Sequence, residues 1–230
     1  MTPTAPAPTR WAAFTSAVRA RLGIPPPVDE PFKDAVAAAI GRAEAGCGAE
    51  IVLVVRPASG SYRDVCWLVG ALAAWLALLA ILFSEVTVSP TVVPAELLAV
   101  FFFAAWLCHS TAMRRWFVSR ERLDHQAVDG ARVALFKESI LTTPAGTGIL
   151  VYWSRLERRV EALADRGIHS KLPPVVWRKF VAALRAAERA ADPRIPILQA
   201  IANLGERLAR HVPIPPGHVR VLPDRPRGES

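Results

Sequence analysis

The chain has 230 residues, with 28 Lys+Arg against 20 Asp+Glu, a formal charge of +8 with histidine neutral. Its 52% apolar content excludes global disorder, and three scattered cysteines exclude a disulfide scaffold. No Lys or Arg occurs from Val65 to Met113, a gap that argues against a plain soluble globule.

Residues 1–30 form a Pro-rich N-terminal segment. Trp11, Phe14, Val18 and Leu22 share one helical face, with Arg10, Arg19 and Arg21 nearby. This fits an amphipathic helix lying on an anionic leaflet, or one packed on the folded domain. The segment has no uninterrupted apolar core, so no secretory signal is read from it. Residues 31–64 open a domain. Pro31 to Glu44 carries Phe32, Val36, Ala39, Ile40 and Ala43 on one side, and Gly46 and Gly48 stop the helix. Glu50–Arg56 (EIVLVVR) is apolar on both faces and reads as a central strand.

Residues 65–113 read as a transmembrane hairpin. Val65–Phe83 is 19 residues without a charge, about 28 Å as a helix, close to the thickness of a hydrocarbon core. The second span, Val92–Met113, holds Pro94 in its first turn, Glu96, and His109 near its far end. Arg56 and Arg63 precede the hairpin, Arg114, Arg115, Arg120 and Arg122 follow it, and the loop between has no basic residue. The positive-inside rule then places both chain termini in the cytoplasm.

Residues 114–211 hold the rest of the domain. Arg120–Glu138 is helical, and Thr142–Gly148 is a turn. Gly148–Ser154 and Arg159–Ala164 are strands joined tightly by Arg155–Arg158, hence a hairpin. Asp165-Arg166-Gly167 reads as a turn, Pro173–Arg189 and Pro196–His211 as helices, and 212–230 as a disordered tail. The lone strand before the membrane hairpin needs partners, and only the two strands after it are available. The halves therefore form one α/β domain interrupted by the hairpin.

The stretches AEAGCGAEIVLVV and TGILVYWSRLERRVEALADRGIHSKLP, with the helix HQAVDGARVALF, resemble the TPM domain family in its membrane-bound bacterial branch. The resemblance covers Asp34–Val55 and His125 to about His211. It implies a small mixed-sheet α/β sandwich. Some members, notably plant thylakoid ones, are associated with phosphatase activity, divalent-ion binding and photosystem repair. Ion-binding members place acidic residues after the Gly turn; here that loop reads SKLPPVVW, without a carboxylate.

Chemistry is sparse. Asp165 and Glu50 are the best catalytic carboxylates, and Arg166, His169 and Lys171 are candidate anion ligands. Ser154 and Glu157, three apart, read as ties for turn backbone. His125 and Asp129 share a helix face but lack further metal ligands. No metal site and no cofactor are predicted, Ca²⁺ or Mg²⁺ entering only with the alternative below. There is no Walker loop, GxGxxG, GxSxG or HExxH. The basic residues flank membrane spans and are not gathered with aromatics, so no nucleic-acid partner is expected. The expectation is a multi-pass protein of the bacterial inner membrane. Its cytoplasmic TPM-like domain is a non-catalytic interaction or accessory module, with the bilayer and a membrane or cytoplasmic protein as partners. The alternative is a membrane-tethered phosphatase or other metal-assisted hydrolase.

Overall fold

In the computed structural model the described residues are 28–84, 89–143, 146–190, 192–214, 222 and 225–227. The amphipathic helix expected around Trp11–Leu22 lies outside them. The chain divides into two units, one of residues 1–59 with 124–230 and the other of residues 60–123.

The first unit is built on a three-stranded mixed sheet. Strands β1 (Glu50–Arg56) and β2 (Gly148–Ser154) run parallel, and β3 (Arg159–Ala164) returns antiparallel beside β2. All three match the sequence expectation in their limits, and the register pairs Leu53 with Val151. Side chains alternate across the sheet. Ile51, Leu53, Val55, Ile149, Val151 and Trp153 face a core shared with three helices. These are α1 (Glu30–Ala45), α7 (Pro174–Ala187) and α8 (Arg194–His211). Val52, Val54, Leu150 and Tyr152 face the other way, onto Ala131, Ala134 and Ile140. Ala131 and Ala134 belong to α5 (Arg120–Lys137). The sheet is thus sandwiched between helical layers, which makes β1 apolar on both faces.

Helix α1 starts where Asp29 accepts the Phe32 N–H at 3.2 Å, with Pro31 in the first turn. It packs closely on α8 because Gly205 has no side chain: a Cβ there would sit 2.5 Å from the Ala43 Cβ.

Strand β1 is an edge strand, not the central one expected. Its two buried faces gave that impression, since helices cover both. Its open edge is closed by side-chain and tail groups. Glu44 accepts the Ile51 N–H at 2.6 Å, and Arg227 bridges in parallel, donating to Leu53 C=O at 3.0 Å and accepting from Val55 N–H at 2.8 Å. The expected disordered tail is corrected at these positions: Leu222 and Arg225–Arg227 are tied to the domain, Arg225 to Asp34 at 2.9 Å and Arg227 to Glu138. The far edge is closed likewise, Glu188 accepting the Val160 N–H at 2.8 Å.

The second unit holds α2 (Arg63–Phe83), α3 (Val93–Cys108) and α4 (Thr111–Phe117). The second apolar segment is not continuous to Met113. It ends at Cys108, because Ser110 leaves helical geometry and caps α4 by accepting the Met113 N–H at 3.4 Å. Only α2 is long and apolar enough to cross a membrane among the described residues; α3 is a shorter apolar helix. The two run antiparallel. Cys66 meets Cys108 at one end, and further along Gly70 faces Phe101 and Ala105. A Cβ on Gly70 would lie 2.8 Å from the Phe101 carbonyl oxygen, so this approach requires glycine. Just before α2 leaves its first turn, Asp64 takes a two-pronged ion pair from Arg122, at 2.7 and 3.0 Å.

Candidate functional site

The catalytic and anion-binding candidates from the sequence, Glu50, Asp165, Arg166, His169 and Lys171, lie toward the end of the sheet where β1 and β2 begin. Glu50 pairs with Gly148, and the Asp165 N–H donates to Gly148 C=O at 2.9 Å. The register therefore places Glu50 and Asp165 on either side of Gly148, yet both carboxylates serve the backbone. Buried Glu50 accepts the Leu222 N–H at 2.8 Å. Asp165 accepts the Arg166 N–H at 2.6 Å and caps a short helix, α6 (Arg166–Lys171), where a plain turn was expected. Arg166, His169 and Lys171 are exposed on α6, the His169 ring lying edge-on to Trp177 at 5.4 Å. Among the described residues no three of His, Cys, Asp and Glu gather in a potential metal set. Ca²⁺ wants about six to eight oxygens, and Glu50 and Asp165 each already accept from a backbone amide.

The opposite end of the sheet holds a connected polar network. Ser59, in the loop after β1, donates its hydroxyl to Ser154 Oγ at 2.7 Å. Ser154, the last residue of β2, donates to Glu157 Oε2. Glu157 Oε1 accepts the Ser59 N–H at 2.9 Å, closing a ring. The Tyr152 hydroxyl meets Ser59 Oγ at 2.9 Å. Each hydroxyl has one proton to give. Ser59 gives its proton to Ser154, and Ser154 gives its own to the carboxylate. Ser59 must therefore accept from Tyr152, and every proton in the chain points toward Glu157. Burial pushes the Tyr152 phenol above its ordinary value, against the Ser59 hydrogen bond, and so keeps that proton in place.

The alternation of the strands puts Arg56, Tyr152 and Ser154 on the α5 side of the sheet. There a cavity of about 340 Å³ is lined by Arg56, Ser59, Gln126, Asp129, Lys137 and Tyr152. Gly130 on α5 permits it: a Cβ there would lie 2.6 Å from the Tyr152 hydroxyl and 2.9 Å from Ser59 Cβ. The cavity sits at the carboxyl ends of two parallel strands, where open α/β sheets commonly receive ligands. Beside it on the same face, Arg159 holds Asp124 through two bonds, 2.7 and 2.5 Å, and Glu188 at 3.1 Å. The two carboxylates hold the Arg159 guanidinium firmly protonated, Asp124 foremost. Glu161 projects next to this group, and burial pushes its carboxyl above the usual range.

Ser154 and Glu157 are thus more than turn ties, and Ser59 and Tyr152 escaped the sequence reading altogether. Ser59 is 98 positions from Glu157. The period-two pattern of β1 and β2 was the one usable signal, since it places Arg56, Tyr152 and Ser154 on a common face.

No family model and no curated protein matches the chain in sequence. Among solved structures it is similar to the NMR structure of the BA42 protein from the psychrophilic bacterium Bizionia argentinensis. The identity is 13% and the TM-score 0.53, over 87% of this chain and 94% of that one. At that identity the likeness speaks to the fold alone: a mixed, helix-rich α/β arrangement on a small sheet.

Proposed function

We propose that the helical hairpin of the second unit anchors the protein in a bilayer, with the first unit a TPM-like, non-catalytic interaction module on the cytoplasmic side. The observation that carries the reading is the exposure of α2 and α3. Twelve large apolar side chains on these helices are 43–86% exposed, among them Leu68, Phe83, Phe103 and Trp106. Full burial of such a side chain is worth about 1.5–3 kcal/mol, so leaving this set in water forfeits on the order of 10–20 kcal/mol. A patch of this size marks an interface, and a bilayer fits it. Helix α2 spans 21 residues, and the antiparallel packing of α3 brings the chain back toward the side it left. At 16 residues α3 covers about 24 Å, which a thinned bilayer or flanking residues accommodate. Arginines flank both outer ends of the hairpin and none lies in its loop, which favours cytoplasmic ends.

The hydrolase alternative draws no support from the arrangement of Glu50 and Asp165, each bonded to a backbone amide. The test is accessibility. In a chain whose Cys47, Cys66 and Cys108 are replaced by Ser, a cysteine at Ser89 should react with an impermeant maleimide from outside intact cells. One at Ser230 should react only after lysis. Reaction of both from one side would refute the hairpin, and recovery of the chain in the soluble fraction would refute the anchor.

A further inference from the structure

We infer that the cavity between α5 and the carboxyl ends of β1 and β2 is a binding site for a small phosphate monoester that carries a hydroxyl group. Two features of the cavity select this chemistry. The first is charge. Arg56 and Lys137 both line it, and among the described residues neither is engaged in an ion pair. Two cations match a dianion, and the Arg56 guanidinium offers the planar fork that suits phosphate oxygens. Asp129, on the same wall, opposes an anion, but its carboxylate is drawn to Arg132 at 3.2 Å.

The second feature is the direction of the hydrogen bonds. Glu157 acts as the proton sink for Ser154, Ser59 and, through them, Tyr152. The Tyr152 oxygen therefore shows the cavity a lone pair and no proton. Beside two cations, that lone pair has no use for a bare anion. It calls for a donor on the ligand, and a hydroxyl next to the phosphate supplies one. A volume of about 340 Å³ lies at the small end of the range for ligand pockets, about 300–1,000 Å³, which suits a three-carbon polyol phosphate better than a nucleotide cofactor. Free polyol phosphate, a monoester, and the glycerophosphate headgroup of a lipid, a singly charged diester, share a phosphate placed beside a hydroxyl. The inference stands apart from the membrane reading, since it rests on residues of the first unit alone.

Titration calorimetry on the full chain in neutral detergent tests it. Glycerol 3-phosphate should bind about tenfold more tightly than methyl phosphate, which lacks the hydroxyl. Arg56→Gln and Lys137→Gln should each weaken both esters at least tenfold. Tyr152→Phe, which keeps the ring and removes the acceptor, should erase the preference and leave methyl phosphate unchanged. Lys179→Gln, in a separate groove between α7 and α8, should change nothing. Thermal melts matched to the wild type confirm that each variant is folded. To separate the two sources, the chain is placed in phosphatidylcholine vesicles with or without phosphatidylglycerol. Loss of glycerol 3-phosphate binding only in the phosphatidylglycerol vesicles assigns the site to a lipid headgroup, and equal binding in both assigns it to a free ester. Absence of binding at 10 mM ester by the wild type in detergent and in both vesicles, on the order of the weakest useful affinities, would overturn the inference. So would equal affinity for the two esters, or a Tyr152→Phe variant that keeps the preference.

Discussion

The pairing of β1 with a strand from beyond the hairpin makes a sharp prediction about Leu53→Ala. Leu53 is fully buried and lies opposite Val151 of β2. Truncation to alanine removes three buried carbons, about 2.4 kcal/mol at 0.8 kcal/mol per group. The space left behind adds to this, and comparable buried leucines lose about 2.7–5.0 kcal/mol. Taking about 3 kcal/mol, the opening equilibrium of the unit rises roughly 100-fold. A domain worth about 5–15 kcal/mol survives that loss, so the variant stays folded and measurable. Hydrogen exchange followed by mass spectrometry on the full chain reads the outcome. The slowest amides of Gly148–Ser154, which exchange through opening of the whole unit, should speed up about 100-fold along with those of Glu50–Arg56. If the peptides over β1 accelerate while those over β2 keep their protection, β1 is a local appendage and the interrupted-domain reasoning fails.

Two further outcomes follow from the edges of the sheet. Burial holds the Glu161 carboxyl above its ordinary value, so the folded state binds its proton more tightly than the unfolded one. The stability cost of ionising it is absent below about pH 4 and appears as pH rises from the ordinary glutamate value, about 4.3, through the raised one. Glu161→Gln should therefore be more stable than the wild type at pH 7, and urea titrations should show the gap closing as pH falls to 4. Truncation after Ile214 removes Arg227, which satisfies the Leu53 C=O and the Val55 N–H. Stability should fall by about 1–2 kcal/mol at roughly 1 kcal/mol per hydrogen bond. The Val55 amide should also lose protection, and an unchanged exchange rate there would show that the tail does not close this edge.

Local pattern carried the elements of this protein, and long-range contact decided its site. Gly148–Ser154 and Arg159–Ala164 were legible because strand composition and a four-residue connection are short-range facts. The helices were legible from their apolar stripes, and the apolar character of Val65–Phe83 from its lack of charge. Where a break depended on one side chain, as at Ser110, composition missed it: nothing in the run VPAELLAVFFFAAWLCHSTAM separates a serine that caps from one that continues a helix. The place of β1 in the sheet was hidden as well. An edge strand buried on both faces has the same residues as a central one, and its edge is closed by Glu44 and by Arg227, which lies 172 positions beyond Val55 in sequence but beside it in space. The candidate site shows the same division. Asp165 and Glu50 stood out because carboxylates at strand ends are visible one at a time. Ser59, Tyr152, Ser154 and Glu157 become a proton-ordered network only when two parallel strands, separated in sequence by the whole second unit, are laid side by side, and no single segment encodes that distance.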